Sequence, residues 1–247
     1  MSGIDSYAKL VLHCDGADAS TTFTDDGTTG HTVTANGDAQ IDTAQQKFGT
    51  GSGLFDGTGD YLSVPDHADW DFAAGDFTVD FWVRFNSVAA NCTFAGQSTG
   101  GTDRAWSIQW TTSNLLFFQY STAASGGSAN ANAWSFAWTP STATWYHVAV
   151  VRNGADLKAF IDGTQIGITQ NISTDTIRDS AVELRIGVRN DAGSPLNGWL
   201  DELRISKGIA RWTANFTPPT EAYSADAAAP TSGYPGVTMK SLMGIGG

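Results

Sequence analysis

The sequence predicts an all-β protein, folded as two antiparallel sheets packed face to face. Segments rich in β-forming residues recur along the 247 residues, and in many of them apolar and polar side chains alternate. Turn signals such as Asn-Gly and Asp-Gly separate these segments about every 8 to 12 residues. Charged residues make up only 15% of the chain, with 28 Gly against 7 Pro, which suits many short strands better than long exposed helices. A single sandwich of this length is common.

The central segment is WYHVAVVRNGADLKAFIDG, residues 145–163. Two β-rich runs, 146–152 and 157–162, flank an Asn153-Gly154 turn signal, so a hairpin is predicted that pairs Arg152 with Leu157. Because side chains alternate along a strand, this register gives one apolar face, made of Tyr146, Val148, Val150, Ala159 and Ile161. A second turn at Asp162-Gly163 leads into a third run. His147 then lies opposite Asp162, which we interpret as a structural cross-strand pair.

The N-terminal half contains further predicted strands at residues 7–14, 61–64 and 77–85, and one ending at Asp56-Gly57. Short strands are expected around 32–34 and 40–41 within a turn-rich loop. A single helical turn is predicted at 66–70, with Asp66 as its N-cap. In FTVDFWVRF, residues 77–85, the apolar positions alternate with a face on which Trp82 lies between two charged residues.

The C-terminal half contains predicted strands at 106–110, 115–121, 134–138, 182–188 and 198–206. A short helical turn is expected at 209–212, and the PP pair after Phe216 is expected to take the chain off the domain. From Tyr223 the composition changes to Ala, Gly and Pro. The predicted organisation is therefore a sandwich over 1–222 and a tail over 223–247 for docking or oligomerisation.

The net charge of −12, without any run of Lys or Arg, argues against nucleic acid and against a basic membrane-binding face. The acidic excess either keeps the protein soluble or supplies calcium ligands. No apolar run reaches the ~20 residues of a membrane span. The N-terminus lacks a secretion signal, so synthesis in the cytoplasm without export is expected.

The two cysteines, Cys14 and Cys92, lie 78 positions apart. Cys14 shares a predicted strand face with Leu10 and Leu12, so buried free thiols are the default, and a single disulfide is the alternative. No CxxC or HxxxH spacing occurs, which sets zinc aside at the level of the sequence.

Several segments resemble the concanavalin A-like, laminin G-like jelly-roll family: DGTGDYLSVP, FTVDFWVRF, WYHVAVVRNGADLKAFIDG and LRIGVRNDAGSPLNGWLDELRISKGIARWTANFTPP. The last is especially similar to copies in tailed-bacteriophage virion proteins. The resemblance covers about residues 7–223. It implies a jelly-roll sandwich (the lectin/glucanase type) in which the first strand pairs with the last.

The same resemblance implies a structural calcium ion at the rim of the sandwich. The residues that match this expectation are Asp15, Asp56 and Asp201. The alternative is that Asp15 and Asp56 are turn residues and that Asp201 accepts backbone hydrogen bonds.

Two kinds of site follow from the side chains. Jelly-roll glucanases of the laminarinase type, which this fold resembles, use an ExDxE or ExDxxE strand, and retaining chemistry needs two carboxyl groups ~5 Å apart. Neither spacing occurs in this sequence, and adjacent Asp201 and Glu202 are expected on opposite faces of a strand. No enzyme activity is therefore expected. A glycan site is predicted where an aromatic platform lies beside hydrogen-bonding groups, with Trp106, Trp110, Asp103 and Arg104 as its residues.

The resulting prediction is a non-enzymatic virion protein, a capsid decoration or tail appendage, that adheres to host-surface glycans. It would contact other virion proteins through its tail and form a homo-oligomer on the particle. The alternatives are a free carbohydrate-binding lectin or adhesion module and an atypical glycoside hydrolase.

Overall fold

The computed structural model describes residues 3–99, 104–122 and 132–225. Two antiparallel sheets form a sandwich, as predicted. The first sheet has the order β13-β12-β11-β6-β15-β4-β3, with β1 also paired to β15. Its strands are β1 (Ala8–Leu12), β3 (Gln40–Asp42), β4 (Ser52–Asp56), β6 (Phe77–Phe85), β11 (Trp145–Asn153), β12 (Asp156–Ile161), β13 (Thr164–Asn171) and β15 (Asn197–Lys207).

The second sheet has the order β10-β9-β8-β7-β14-β5-β2. Its strands are β2 (Thr34–Asn36), β5 (Tyr61–Val64), β7 (Cys92–Ser98), β8 (Arg104–Thr111), β9 (Leu115–Tyr120), β10 (Asn132–Ala137) and β14 (Leu184–Ile186). The sequence did not predict β7. All seven of its residues are buried, so this central strand lacks the alternation by which half-buried strands are recognised.

The central hairpin forms in the predicted register. Arg152 pairs with Leu157, Val150 with Ala159 and Val148 with Ile161. The predicted apolar face lies in the core between the sheets, with Tyr146 packed at its margin. Gly154 has a φ of 59° in the turn, which glycine adopts without steric cost.

Both cysteines are buried and free, which confirms the default prediction. Burial raises the pKa of each thiol, so neither exists as a reactive thiolate near neutral pH. They contribute to the fold as small apolar side chains in the main core.

Two helical predictions need correction. A 3₁₀ helix does form at Ala68–Trp70, but its N-cap is His67, whose ring nitrogen accepts a hydrogen bond from Asp69 N, and not Asp66. Residues 209–212 are not helical. There the backbone is held against β6, because Thr78 Oγ1 donates to Ile209 O and accepts from Arg211 N. No helix in the described ranges has the length and apolar character needed to cross a membrane.

Residues 208–225, called here the C-terminal segment, cover the outer face of the first sheet. Trp212 and Phe216 pack on Ala149, Val151 and Phe160. The chain also stays on the domain after Phe216, because Tyr223 is buried against Ala8 and Val11, so the prediction that it leaves there is wrong.

The sandwich also extends past the predicted boundary at 222. Tyr223 is buried, and Ala225 forms a parallel bridge with Ile4. The remaining predicted tail, 226–247, lies outside the described residues.

The first and last strands pair as the resemblance implied, with Leu12 opposite Leu203. A β-bulge interrupts β15 between Asp201 and Arg204 in its pairing with β6, and Glu202 has a φ of 50°. The bulge inserts one extra residue, which interrupts the alternation of side chains along β15. Leu200 and Leu203 consequently both lie in the core, although they are three residues apart. Asp201 and Glu202 therefore share the outer face, which corrects the expectation that they point to opposite faces.

Candidate functional site

The predicted aromatic platform does not form. Trp106 and Trp110 are 0% and 1% exposed and lie in the core between the sheets. Their indole nitrogens donate to Trp70 O and Trp138 O, both at 3.1 Å, so even the polar edges are used internally. A buried ring cannot stack on a sugar, and the predicted role of these two residues is wrong.

The polar residues of that predicted site give it no support. Arg104 is 8% exposed, and its Nε donates to Ser98 Oγ at 3.2 Å. Asp103 lies outside the described residues. The even spacing of Trp106 and Trp110 does place them on one strand face, but the sequence could not show that this face is the inner one.

The three predicted calcium ligands do not form one coordination sphere. Asp15 accepts hydrogen bonds from the backbone N and the hydroxyl of Thr50, whereas Asp56 accepts from Thr58. Asn197 pairs with Asp56, which places Asp56 four strand positions from Asp201, about 13 Å along the sheet. The turn and backbone-binding alternative describes these residues, and calcium binding by the protein stays a prediction.

Asp201 and Glu202 are a pair of carboxylates on one face, but both are covered. Asp201 accepts from Lys47 N at 2.7 Å and Phe48 N at 3.1 Å, and burial raises its pKa to about 7. Glu202 accepts from Tyr223 N at 2.7 Å, and its other oxygen lies 2.7 Å from His13 Nδ1. They are 0% and 1% exposed, so this pair is not presented to a substrate.

A buried ion pair anchors the C-terminal segment next to these acids. Arg204 binds both carboxylate oxygens of Asp80 at 3.0 Å, and the Tyr223 hydroxyl also donates to Asp80. The guanidinium lies 3.9 Å from the centre of the Tyr223 ring. Although burial opposes ionisation, the charge of Arg204 holds the pKa of Asp80 well below its usual range. The charged hydrogen bonds of Asp80 and the contact between the Arg204 guanidinium and the Tyr223 ring together hold the C-terminal segment on the sheet.

His147 belongs to the same packed region. Its backbone N donates to Asp162 Oδ1 at 2.8 Å, which confirms the structural cross-strand pair. Its ring is fully buried, with Nε2 3.5 Å from Asp80 Oδ2, and packs perpendicular to the indole of Trp212 with ring centres 5.6 Å apart.

The C-terminal segment forms a pocket of about 150 Å³ at the protein surface. We call it the Trp212 pocket. Its lining combines an indole, two proline rings, two threonines and one carboxylate: Trp212, Pro218, Pro219, Thr217, Thr220 and Glu221. Thr217, Thr220 and Glu221 are exposed, whereas the indole and the prolines are half-buried.

The indole of Trp212 is fixed before any ligand binds. It stacks on Phe216 with ring centres 4.0 Å apart and planes 6° from parallel, and Arg204 lies 5.6 Å from its centre. Phe216 N donates to Gly163 O at 2.9 Å, which attaches the stacked pair to the turn between β12 and β13. The pocket therefore has rigid apolar walls and a rim of hydroxyl and carboxylate groups.

That combination suits a small polyhydroxylated ligand. Binding sites for such molecules use apolar walls for contact area and a few polar groups for orientation. A carboxylate accepts hydrogen bonds from hydroxyls more strongly than a neutral acceptor does. The sequence predicted only a short helical turn at 209–212, and nothing in local spacing indicates that the chain folds back to place Trp212 in the lining of a surface pocket.

A second cleft of about 200 Å³ lies at the end of β1, lined by His13, Cys14, Asp15, Thr24 and Asp26. The hydrogen bond to Glu202 raises the pKa of His13. This cleft has acidic walls and no Trp, Tyr, Phe or Pro in its lining, so it lacks the apolar contact surface of the Trp212 pocket.

A family model described as the concanavalin A-like lectin/glucanases superfamily matches residues 56–211. The comparison with curated proteins finds no match. The match begins at the Asp56 turn and ends one residue before Trp212.

Solved structures of similar fold include receptor-binding domains of bacterial toxins. The domain of botulinum neurotoxin D has a TM-score of 0.60 at 16% identity, and the alignment covers 83% of this chain and 50% of that chain. Botulinum neurotoxin type C, whose uptake into cells depends on interaction with two ganglioside molecules, has a TM-score of 0.61 at 17% identity, with 83% and 49% covered.

The binding domain of botulinum neurotoxin DC in complex with rat synaptotagmin II has a TM-score of 0.62 at 14% identity, with 84% and 50% covered. At these identities the likeness concerns the fold. The present chain spans about half the length of these toxin domains.

Proposed function

The chain belongs to the concanavalin A-like lectin/glucanases superfamily, and we propose that it is a non-catalytic, lectin-type domain that binds a glycan in the Trp212 pocket. The observation that carries this proposal is the pocket itself. A fixed indole and two proline rings form its walls, and the exposed side chains of Thr217, Thr220 and Glu221 form its rim.

The state of the carboxylates supports binding over hydrolysis. Retaining glycosidases need two carboxyl groups about 5 Å apart that both reach the sugar. Asp201 and Glu202 are adjacent, but Asp201 accepts a backbone hydrogen bond from Lys47, and Glu202 bonds to His13 and to the backbone of Tyr223. The C-terminal segment also covers Glu202. The Trp212 pocket is lined by a single acid, Glu221.

Display on a bacteriophage particle, with adhesion to host-surface glycans, is the finer form of this proposal. It rests on the resemblance of DELRISKGIARW, residues 201–212, to copies in tailed-phage virion proteins. Capsid or tail partners and a homo-oligomer on the particle belong to the same proposal. A free lectin or adhesion module would use the same pocket without a particle.

The experiment is a screen of the full-length protein against mammalian glycans and bacterial polysaccharides, in calcium and in chelator. Glu221→Gln keeps the side-chain shape but removes the charge, so we expect the selected glycan to bind about tenfold more weakly, about 1.4 kcal/mol. Glu183→Gln is the matched control, because Glu183 is not part of the pocket lining, directly precedes β14 of the second sheet and pairs with Arg185. Binding that Glu221→Gln leaves intact would contradict the assignment of the pocket.

A further inference from the structure

We propose that His31, His67 and Asp69 form a binding site for a divalent transition-metal ion of the Zn²⁺ type. Each residue offers one ligand atom, and the three atoms lie within 4.8 Å of one another. Asp69 Oδ2 is 3.0 Å from His31 Nε2 and 3.2 Å from His67 Nδ1. The site is independent of the Trp212 pocket.

The topology explains why residues 36 positions apart meet. Strands β2 and β5 pair antiparallel, with Thr34 opposite Ser63. The residues that precede β2 therefore emerge at the same end of the sheet as the residues that follow β5. His31 is three residues before Thr34, and His67 is four after Ser63. No local ligand spacing such as HxxxH results, and the sequence reasoning that set zinc aside missed the site for that reason.

The observed distances fit tetrahedral coordination. Zinc bonds of about 2.0 to 2.2 Å to nitrogen and oxygen place neighbouring ligand atoms about 3.3 Å apart. The two separations that involve Asp69 are already close to this value. The two imidazole nitrogens would have to come closer, and the side chain of His67, 46% exposed, is the least enclosed of the three ligands. A metal ion would displace the weak hydrogen bond from Asp69 N to His67 Nδ1, which is 3.2 Å long.

Surrounding groups hold two of the ligands in place. The His31 ring packs on buried Trp70, with ring centres 4.7 Å apart, and its backbone N donates to Asp25 Oδ2 at 2.6 Å. Thr29 Oγ1 donates to Asp69 Oδ2 at 2.7 Å. Oriented ligands of this kind are typical of metal centres, in which outer hydrogen bonds fix the ligating side chains.

The donor set selects the class of metal. Two imidazole nitrogens and one carboxylate suit zinc, copper, nickel or cobalt, whereas calcium and magnesium require oxygen ligands and larger coordination numbers. Three protein donors leave one tetrahedral position for water or an external ligand. A bound ion would also join the loop before β2 to the 3₁₀ helix after β5, at the edge of the second sheet.

The test is calorimetric titration of Zn²⁺ into the metal-free full-length protein, with Co²⁺ absorption as a coordination signature. His67→Asn removes the imidazole but keeps a side-chain acceptor at the N-cap. Asp69→Asn removes the charged ligand. We expect one Zn²⁺ per chain, a tetrahedral Co²⁺ spectrum, and affinity lost by about tenfold or more in each variant, since even outer-shell changes have effects of this size.

Asp66→Asn is the matched control, because it also removes one negative charge close to His67. Asp66 Oδ1 accepts a hydrogen bond from Gln97 Nε2 and is not one of the three proposed ligands. Its affinity for Zn²⁺ should equal that of the wild type. Zinc should also raise the melting temperature of the wild type but not of His67→Asn. Absence of binding, equal binding by His67→Asn and Asp69→Asn, or displacement of Zn²⁺ by equimolar Ca²⁺ would each overturn the proposal.

Discussion

Asp201 shows how one buried carboxyl links the sheet to the loop above it. The residue is fully buried on the outer face, where Lys47 N and Phe48 N bind one of its oxygens. Its other oxygen has no hydrogen-bond partner within the described structure. Burial therefore disfavours the charged form, and the pKa of Asp201 is raised to about 7.

This shift predicts that the contribution of Asp201 to the free energy of unfolding falls as the pH rises. The unfolded chain ionises Asp201 near 3.8, the ordinary pKa of an aspartate side chain, whereas the folded chain retains the proton up to about 7. The destabilisation is therefore absent below about pH 4, grows between pH 4 and 7, and is complete above 7. Its upper limit is about 4 kcal/mol, since one pKa unit corresponds to about 1.4 kcal/mol.

Asp201→Asn should remove this dependence and increase stability at pH 8 relative to the wild type, with little difference at pH 4. Urea unfolding of both proteins across that range measures it. Asp56→Asn provides a control of opposite sign, because the hydrogen bonds from Thr58 lower the pKa of exposed Asp56. If the difference between Asp201→Asn and the wild type is the same at pH 4 and pH 8, the account of Asp201 is wrong.

At the scale of the element, two glycine turns next to each other in the chain have different surroundings. Gly154, with φ of 59°, has open space where a Cβ would lie. Gly163, with φ of 74°, faces the C-terminal segment, and a Cβ there would overlap Phe216 O. The first glycine is required only by its backbone conformation, and the second also by packing.

Substituting each glycine by alanine distinguishes the requirement for a positive φ from the requirement for close packing. Gly154→Ala should cost about 1 kcal/mol, the usual penalty for a left-handed non-glycine residue. Gly163→Ala should cost clearly more, because the backbone at Phe216 must move and the Trp212 stack with it. Thermal unfolding gives the two free energies, and near-ultraviolet circular dichroism reports the Trp212 environment. Equal costs with unchanged spectra would contradict the proposed contact.

The hairpin and most strands were predictable because their information is local. Alternation defines β6, and turn chemistry sets the register of β11 and β12. The fully buried β7 has no alternation to read. The β15 bulge, which turns Glu202 to the same face as Asp201, follows from pairing with a distant strand.

The candidate sites were predicted poorly for the same reason. The burial of Trp106, the place of Trp212 in a surface pocket and the meeting of His31 with His67 all depend on long-range packing. Sequence spacing alone cannot show which face of a strand becomes the inner one.

At the scale of the whole molecule, the two ends of the described chain close the first sheet together. Arg204 Nη1 donates to Gly3 O at 2.9 Å, and Gly3 N donates to Ser224 O at 2.9 Å. Tyr223 packs with Ala8 and Val11 on the outer face. The domain therefore depends on residues up to 225, three beyond the boundary that composition indicated.

Two truncations test this boundary. A chain ending at Ala225 retains Tyr223 and its bond to Asp80, so we expect its unfolding free energy to match that of the full chain. A chain ending at Ala222 leaves the buried Asp80–Arg204 pair without the Tyr223 hydroxyl and removes a buried aromatic ring. It should lose about 3 to 5 kcal/mol, the range for deleting a large core side chain. Denaturant unfolding compares the two, and equal stabilities would place the boundary before Tyr223.

The most direct measurement is a calorimetric titration of the best glycan from the screen into the wild type, Glu221→Gln and Glu183→Gln. We predict saturable binding with one site per chain, about tenfold weaker for Glu221→Gln and unchanged for Glu183→Gln. Equal affinities in all three proteins, or no glycan that binds the wild type, would contradict the assignment of the Trp212 pocket as a lectin site.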